Sequence, residues 1–199
     1  MSDETSVTAI ILAGGKSSRM GTDKALLPFG GQTLLEYIAH ETASIFEETL
    51  VIVDNKEKTA NLNLVGAKVS EDMIKNKGPL CGIYTGLSQS KTQANCVLTC
   101  DMPFVDRELL REFKSCWDEN DEVLCLGNEQ GRPEPFPGFY HRSSRHMIRL
   151  LIDKEIYAMH MFLDFVSVKM VAINKGPKIF TNMNTVEDYQ QALKEKMSS

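Results

Sequence analysis

The chain has 199 residues, a length that suits one domain with a substantial hydrophobic core. Its hydrophobic fraction of 42% and charged fraction of 25% are close to the globular average, which argues against disorder, coiled coils and collagen-like repeats. Because 22 Lys and Arg face 27 Asp and Glu, the net charge is −5, and no overall positive field exists to hold nucleic acid or an anionic membrane. A polyanionic ligand would have to be neutralised locally.

Short apolar runs typical of buried strands alternate with amphipathic stretches along the first two thirds of the chain. Strands are predicted at residues 7–12, 50–53, 96–100 and 123–126, with a strand edge at 68–70. One helix is predicted to begin with a capping box at Thr33 and Glu36, with an apolar face that reaches Phe46. Two further helices are predicted at 79–90 and 106–119.

The last third has a different pattern. Three prolines between 131 and 138 remove backbone donors, so this segment is predicted to be an irregular loop. Helices are then predicted at 143–153, 158–165 and 185–196, with a strand at 166–173. Repeated alternation of strands and helices predicts a single α/β domain of three layers, with a mainly parallel sheet between helices.

The cysteines and the N-terminus bear on the compartment. The five cysteines are odd in number and include no Cys-x-x-Cys pair, so we expect reduced thiols. Residues 1–5 are acidic where a signal peptide would be basic, and the apolar run at 7–13 is too short to cross a bilayer. A cytoplasmic location is therefore predicted.

A glycine-rich basic segment follows the first predicted strand. Gly14 and Gly15 would let the backbone approach an anion closely, and Lys16, Arg19 and Lys24 add three cations within nine positions. The segment does not fit the P-loop, because Ile10 stands where that motif needs its first glycine, nor does it contain the Gly-x-Gly-x-x-Gly of a dinucleotide site. We interpret it as a phosphate-binding loop of another type.

Further candidates follow the other strands, at the sheet edge where open α/β proteins bind ligands. Asp101 directly follows a predicted strand and could hold Mg²⁺, which characteristically takes one or two protein carboxylates and completes its coordination with water and phosphates. Asp72 could accept a hydrogen bond from a ribose or a base, and the turn before Pro79 could present free helix amides. No His lies in these loops, which argues against zinc or a Cys–His nucleophile.

These features together indicate phosphoryl or nucleotidyl transfer, in which catalysis is mostly positioning and charge neutralisation. An attacking phosphate is already ionised at neutral pH and needs no general base. Two alternatives from other classes remain: a nucleotide-binding regulatory module without turnover, and an NAD-dependent oxidoreductase that lacks the usual glycine fingerprint.

Several motifs, in order and at matching spacing, resemble the molybdenum cofactor guanylyltransferases, the MobA family within the MobA-like nucleotidyltransferases. They cover nearly the whole chain and comprise Leu12-Ala13-Gly14-Gly15 with Ser18-Arg19-Met20-Gly21, Glu71-Asp72, Gly78-Pro79-Leu80, Cys100-Asp101-Met102-Pro103, Gly131-Arg132-Pro133 and Phe180-Thr181-Asn182-Met183-Asn184. The resemblance implies a Rossmann-like nucleotidyltransferase fold, with a nucleotide-binding half at about 7–105 and an acceptor-binding half at about 106–197.

The resemblance also implies roles for individual residues. Arg19, Lys24 and Asp101 would be catalytic, and Asp101 would also hold the magnesium ion. Asn182 and Asn184 would lie on the acceptor side. The implied nucleotide-binding residues are Leu12, Ala13, Gly14, Gly15, Lys24, Asn55, Asp72, Pro79, Leu80 and Asp101.

The implied reaction transfers GMP from GTP to the terminal phosphate of molybdopterin or Mo-molybdopterin, with Mg²⁺ as cofactor. It would yield molybdopterin guanine dinucleotide and pyrophosphate, and transient contact with proteins that make or accept the cofactor is expected. Within the class, a cytidylyl- or sugar-phosphate-directed nucleotidyltransferase is the alternative. The Ala13-Gly14-Gly15 sequence resembles the guanylyl branch, since the cytidylyl branch usually has Ala-Ala-Gly there.

Overall fold

A computed structural model describes residues 6–14, 23–128, 130–173 and 182–197 of the chain. The strands in these ranges are β1 (Val7–Leu12), β2 (Pro28–Phe29), β3 (Gln32–Thr33), β4 (Glu48–Val53), β5 (Ala67–Glu71), β6 (Ala94–Thr99), β7 (Val123–Gly127), β8 (Pro133–His141) and β9 (Val168–Val171). The α-helices are α1 (Leu34–Ala43), α2 (Pro79–Gln89), α3 (Arg107–Ser115), α4 (Ser144–Asp153), α5 (Met159–Leu163) and α6 (Val186–Met197). Two 3₁₀ helices span Lys24–Leu26 and Lys56–Thr59.

Seven of these strands form one sheet in the order β5-β4-β1-β6-β8-β7-β9, and β2 and β3 form a separate hairpin. Within the seven, β8 is antiparallel to both of its neighbours, whereas the other pairs are parallel. The predicted mainly parallel sheet is therefore confirmed.

Successive side chains of β1 point to opposite faces of the sheet, and helices cover both faces. All six of its residues are buried. Ile10 and Leu12 pack in one hydrophobic cluster with residues of α2, α4 and α5. Ala9 packs on the opposite face with α3, and Ile11 packs there with α1 and α6. A strand buried on both faces must be apolar at successive positions, which is the pattern that the sequence shows.

Helix α1 begins at the predicted capping box. The Thr33 hydroxyl accepts a hydrogen bond from the Glu36 amide, and the Glu36 carboxylate accepts one from the Thr33 amide. The helix ends at Ala43, so Phe46 is buried in the core from the turn that follows rather than from the helix face. Helix α3 likewise ends at Ser115, earlier than its predicted end at 119.

The prediction of an irregular loop at 131–138 is wrong, because most of this segment belongs to β8. The pairing of β7 with β8 shifts from Leu126 opposite Glu134 to Cys125 opposite Gly138, which leaves residues 135–137 of β8 without a partner on β7. Two of the three prolines, Pro135 and Pro137, lie in this bulge. A bulged residue needs no ladder donor, so these prolines do not break the strand.

Strand order reverses at β1, since β4 and β5 lie on one side of it and β6 on the other. Such a switch point leaves a crevice beyond the carboxyl ends of the parallel strands. The helices in the described residues include none that is long and apolar enough to cross a membrane.

Candidate functional site

A cavity of about 450 Å³ lies beyond the carboxyl ends of β1, β4, β5 and β6. Its walls come from the loops after these strands, from the start of the first 3₁₀ helix and from the start of α2. The lining residues are Leu12, Ala13, Gly14, Asp23, Lys24, Ile52, Asp54, Asp72, Lys75, Asn76, Gly78, Pro79, Gly82, Thr99, Cys100 and Asp101.

The backbone at Gly14 runs close to the end of β4. A Cβ on Gly14 would lie 3.2 Å from the Asp54 backbone nitrogen, a tighter contact than most side chains make. The preceding residue, Ala13, donates its amide to the Ile52 carbonyl over 2.8 Å, which continues the β1–β4 pairing into the loop. Glycine at position 14 therefore lets the loop leave β1 along the floor of the cavity.

Asp101 is held by two polar contacts at the end of β6. Its Oδ1 accepts a hydrogen bond of 2.7 Å from the Thr99 hydroxyl. Its Oδ2 lies 3.2 Å from the Lys24 ammonium, and both side chains are mostly buried, with exposed fractions of 16% for Lys24 and 20% for Asp101. Partial burial strengthens this ion pair and limits the positions that the two groups can occupy.

The segment before α6 contacts the same pair. The Lys24 ammonium also donates to Asn184 Oδ1 over 2.9 Å. Next to it, the Met183 amide donates to the Asp101 carbonyl over 2.9 Å, and the Met183 side chain is fully buried. The predicted acceptor residue Asn184 therefore touches the predicted catalytic lysine.

Hydrogen bonds hold the Asp72 carboxylate through one of its two oxygens. Its Oδ1 accepts hydrogen bonds from the Thr85 hydroxyl at 2.7 Å and from the Ile74 amide at 3.1 Å. The Thr85 hydroxyl in turn accepts the Met73 amide at 3.0 Å. Within the described residues, Asp72 Oδ2 has no such partner, so one carboxylate oxygen is available to a ligand in the cavity.

Two further aspartates, Asp23 and Asp54, border the cavity. Lys58 bridges Asp54, at 2.9 Å, and Asp23, at 3.5 Å. The hydrogen bond to Asp54 raises the pKa of Lys58. Asp23 also caps the 3₁₀ helix that begins with Lys24, because its Oδ1 accepts the Ala25 amide. The bridge thus ties the end of β4 to the short helix that carries Lys24.

The donors around the cavity suit a hard divalent cation. Carboxylate oxygens are the ligands that Mg²⁺ prefers, and an ionised carboxylate has about four lone-pair sites, so Asp101 retains capacity beside its two contacts. The Cys100 thiol is an unsuitable ligand because desolvation, reinforced by Asp101, raises its pKa to about 12. The described residues include no group of three or more His, Cys, Asp and Glu side chains that could enclose an ion. Mg²⁺ usually keeps several waters and binds through one or two carboxylates and substrate phosphates, so a single carboxylate at this position is chemically sufficient.

The structure brings most of the predicted site residues together. Leu12, Ala13, Gly14, Lys24, Asp72, Pro79 and Asp101 all line the cavity. Leu80 is fully buried in the core behind it, and the Asn55 side chain caps the second 3₁₀ helix by accepting the Glu57 amide. Asn182 is exposed in the segment before α6, whereas Gly15 and Arg19 lie outside the described residues.

Sequence reasoning missed several polar groups at the site. Thr99 is the last residue of β6 and precedes Asp101 by two residues, a spacing that could have indicated their hydrogen bond. Thr85 lies inside a helix, where its sequence context is like that of any buried threonine. Lys75 and Asn76 lie in the turn before α2, and no motif signal marks them.

A switch-point cavity that combines a glycine turn, a buried lysine–aspartate pair and oxygen ligands for a cation defines an α/β protein of the phosphate-binding, nucleotide-transferring class. Comparison with known sequences gives the family. The chain belongs to the MobA-like NTP transferase domain family, which matches residues 9–165.

Known relatives agree with this assignment. A Bacillus cereus strain G9842 protein, named probable molybdenum cofactor guanylyltransferase, is 35% identical over 194 residues, covering 94% of this chain and 95% of the relative. Molybdopterin-guanine dinucleotide biosynthesis protein A from Archaeoglobus fulgidus has a TM-score of 0.82 at 22% identity, covering 96% of this chain and 100% of the other. A Mycobacterium tuberculosis protein solved in complex with manganese shares the fold, with a TM-score of 0.65, 18% identity and coverage of 96% and 99%. The predicted family and the predicted class, nucleotidyltransferase, are confirmed.

Proposed function

We propose that the chain is a molybdenum cofactor guanylyltransferase. It transfers GMP from GTP to the terminal phosphate of molybdopterin or Mo-molybdopterin and releases pyrophosphate. The observation that carries the proposal is the Lys24–Asp101 pair at the switch-point cavity, with both side chains mostly buried. The name of the Bacillus cereus relative supports the choice of substrates.

The cavity has one end suited to phosphates and one suited to a nucleoside. Leu12 at the end of β1, with Ala13 and Gly14 after it, lies beneath the nucleotide, and Lys24 and Asp101 lie at the phosphate end. All five residues line the cavity. Asp72 lies at the end of β5, and its Oδ2 accepts a hydrogen bond from the guanosine. Gly15 and Arg19 extend the phosphate contacts in the part of the chain that follows Gly14.

The reaction is an in-line displacement at the α-phosphorus. An oxygen of the acceptor phosphate forms a new P–O bond, the bond to the bridging oxygen of the β-phosphate breaks, and its electrons leave with pyrophosphate. The attacking oxygen is ionised at neutral pH, so no protein group has to remove a proton. Lys24 neutralises charge on the triphosphate.

Magnesium is the proposed cofactor. When bound, Mg²⁺ neutralises phosphate charge and aligns the triphosphate. Asp101 would hold it, with Thr99 orienting the carboxylate through the hydrogen bond to Oδ1. The Mycobacterium tuberculosis neighbour was solved with manganese, a divalent ion with a similar preference for oxygen ligands.

The acceptor side lies in the second half of the chain, about 106–197, and includes Asn182 and Asn184. The five cysteines are free in the structure, which fits a reducing compartment such as the cytoplasm. There the enzyme would meet the proteins that supply molybdopterin and those that accept the finished dinucleotide.

The test is pyrophosphate release measured with GTP, CTP, ATP and UTP separately, each with Mg²⁺ and purified molybdopterin. We expect turnover with GTP and formation of a product with the mass of the guanine dinucleotide. Asp101→Ala should abolish turnover while the thermal unfolding midpoint stays within a few degrees, because the substitution removes a cavity side chain and no core packing. Turnover with CTP and none with GTP would contradict the proposal.

A further inference from the structure

The Lys24 ammonium joins two parts of the chain that are distant in sequence. It contacts Asp101 Oδ2 at the end of β6 over 3.2 Å and Asn184 Oδ1, before α6, over 2.9 Å. The Lys24 side chain is 16% exposed, so little water competes with these two oxygens for the ammonium. A nucleotide-side cation is thus held in part by a residue on the acceptor side.

These two contacts differ in chemistry. The carboxylate of Asp101 attracts any cation, so a divalent ion bound there would weaken its attraction for Lys24. The amide oxygen of Asn184 is neutral and binds a divalent ion more weakly than a carboxylate does. With such an ion bound at Asp101, Asn184 would keep its hydrogen bond to Lys24 and hold the ammonium in the cavity.

Asn184 is itself held firmly, although its side chain is exposed. The backbone N–H of Asn184 donates to Asp188 Oδ2 over 2.9 Å, and the backbone N–H of Thr185 donates to the same oxygen over 2.8 Å. These hydrogen bonds, that of the Asn184 backbone first, lower the pKa of Asp188. On the other side, Met183 is fully buried and its amide binds the Asp101 carbonyl. Because hydrogen bonds hold the backbone at Asn184 in place, its side chain can position the Lys24 ammonium.

We propose that Asn184 is a positioning residue of the nucleotide site: it holds the Lys24 ammonium at the triphosphate and thereby couples the acceptor segment to nucleotide binding. The inference rests on the proposed function and deepens it. Coupling of this kind is reciprocal, so an acceptor that engages Asn184 changes the affinity for the nucleotide, and the nucleotide changes the affinity for the acceptor.

The matched control is Asn182, two residues earlier in the same exposed segment. No hydrogen bond joins it to Lys24 in the described structure. If the segment served the acceptor alone, Asn184→Ala and Asn182→Ala would both leave nucleotide affinity unchanged. If Asn184 positions Lys24, only Asn184→Ala weakens nucleotide binding.

The experiment is calorimetric titration with the α,β-methylene analogue of GTP and Mg²⁺, without any acceptor. We expect Asn184→Ala to raise the Kd roughly tenfold, the scale of a lost hydrogen bond to a charged group, and Asn182→Ala to leave it within twofold. A double-mutant cycle with Lys24→Met should show that Asn184→Ala has little further effect in that background, because it acts through the lysine.

Equal Kd values for Asn184→Ala and the wild type would overturn the inference. So would an equal weakening by Asn182→Ala, or an undiminished effect of Asn184→Ala in the Lys24→Met background. A wild-type protein that fails to bind the analogue at all would instead contradict the proposed function. Thermal unfolding of each variant checks that the segment before α6 stays packed.

Discussion

The two carboxylate oxygens of Asp72 differ in how many hydrogen bonds they already accept. Its Oδ1 accepts hydrogen bonds from the Thr85 hydroxyl and the Ile74 amide, so among the described contacts only Oδ2 is left with full accepting capacity. A carboxylate that reads guanine through two adjacent N–H groups would need both oxygens. Asp72 therefore suits one donor, such as a ribose hydroxyl, and base selection must come largely from other groups.

Thr85→Val tests this arrangement at the scale of one hydroxyl. The substitution keeps the shape of a fully buried side chain but removes the donor to Asp72 and the acceptor for the Met73 amide. We expect the Kd of the Mg²⁺-bound GTP analogue to rise about fivefold and the free energy of unfolding to fall by about 1 kcal/mol. Thr85→Ser keeps the hydroxyl and should retain affinity. Unchanged binding by Thr85→Val would refute the positioning of Asp72 by Thr85.

How far the sequence predicts the site depends on where each residue lies. Lys24 and Asp101 were predictable because each belongs to a loop that follows a buried strand, and parallel strands bring such loops together. Thr85 was not predictable, because its hydroxyl matters only once α2 packs against the residues that follow β5. Asn55 follows a strand as Asp101 does, yet its side chain caps a 3₁₀ helix, since asparagine readily bonds its own backbone.

At the scale of elements, β8 shows where local rules fail. Prolines argue against a central strand, yet β8 lies between β6 and β7. Its paired residues with β6 begin only at Gly138, so Pro135 and Pro137 precede that ladder. Glycine at position 138 lets the chain pass close to Pro135, because a Cβ on residue 138 would lie 2.5 Å from the Pro135 carbonyl oxygen. The prolines therefore mark the bulge, but the bulged residues still belong to β8, and the prediction of a loop for this segment was wrong.

The capping box of α1 makes a pH-dependent contribution to stability. Hydrogen bonds from the Thr33 amide, then from the Asn63 amide, lower the pKa of Glu36 below its ordinary value of 4.5. A lowered folded-state pKa means that the stabilisation is present above about pH 4.5 and is lost as the pH falls through the folded-state pKa.

Glu36→Gln should therefore reduce the free energy of unfolding by about 1 kcal/mol at pH 7, since a neutral acceptor replaces a charged one. The difference from the wild type should shrink in urea unfolding curves measured progressively below pH 4.5. Glu57→Gln, at an exposed position, is the matched control and should be neutral. A difference that stays constant with pH would contradict the role of the Glu36 charge.

At the scale of the whole molecule, the charges around the cavity explain why a cation is needed. The described lining includes four aspartates, Asp23, Asp54, Asp72 and Asp101, against two lysines, Lys24 and Lys75. The net charge of the chain is also negative, at −5. A triphosphate can bind such a surface only if its own charge is neutralised, by a divalent ion and by cations such as Lys16 and Arg19 in the sequence after Gly14. A negative net charge argues against a long polyanion such as nucleic acid, but it does not argue against a small phosphate ligand bound with a metal ion.

The most direct test of the account is a crystal structure of the protein with Mg²⁺ and the α,β-methylene analogue of GTP. We predict that the metal bonds Asp101 and the triphosphate, that Lys24 contacts the phosphates, that the backbone at Gly14 lies beneath them, and that the ribose lies beside Asp72 Oδ2. A nucleotide bound outside the switch-point cavity, or one whose base rather than its phosphates lies at Asp101, would contradict the assignment of the site.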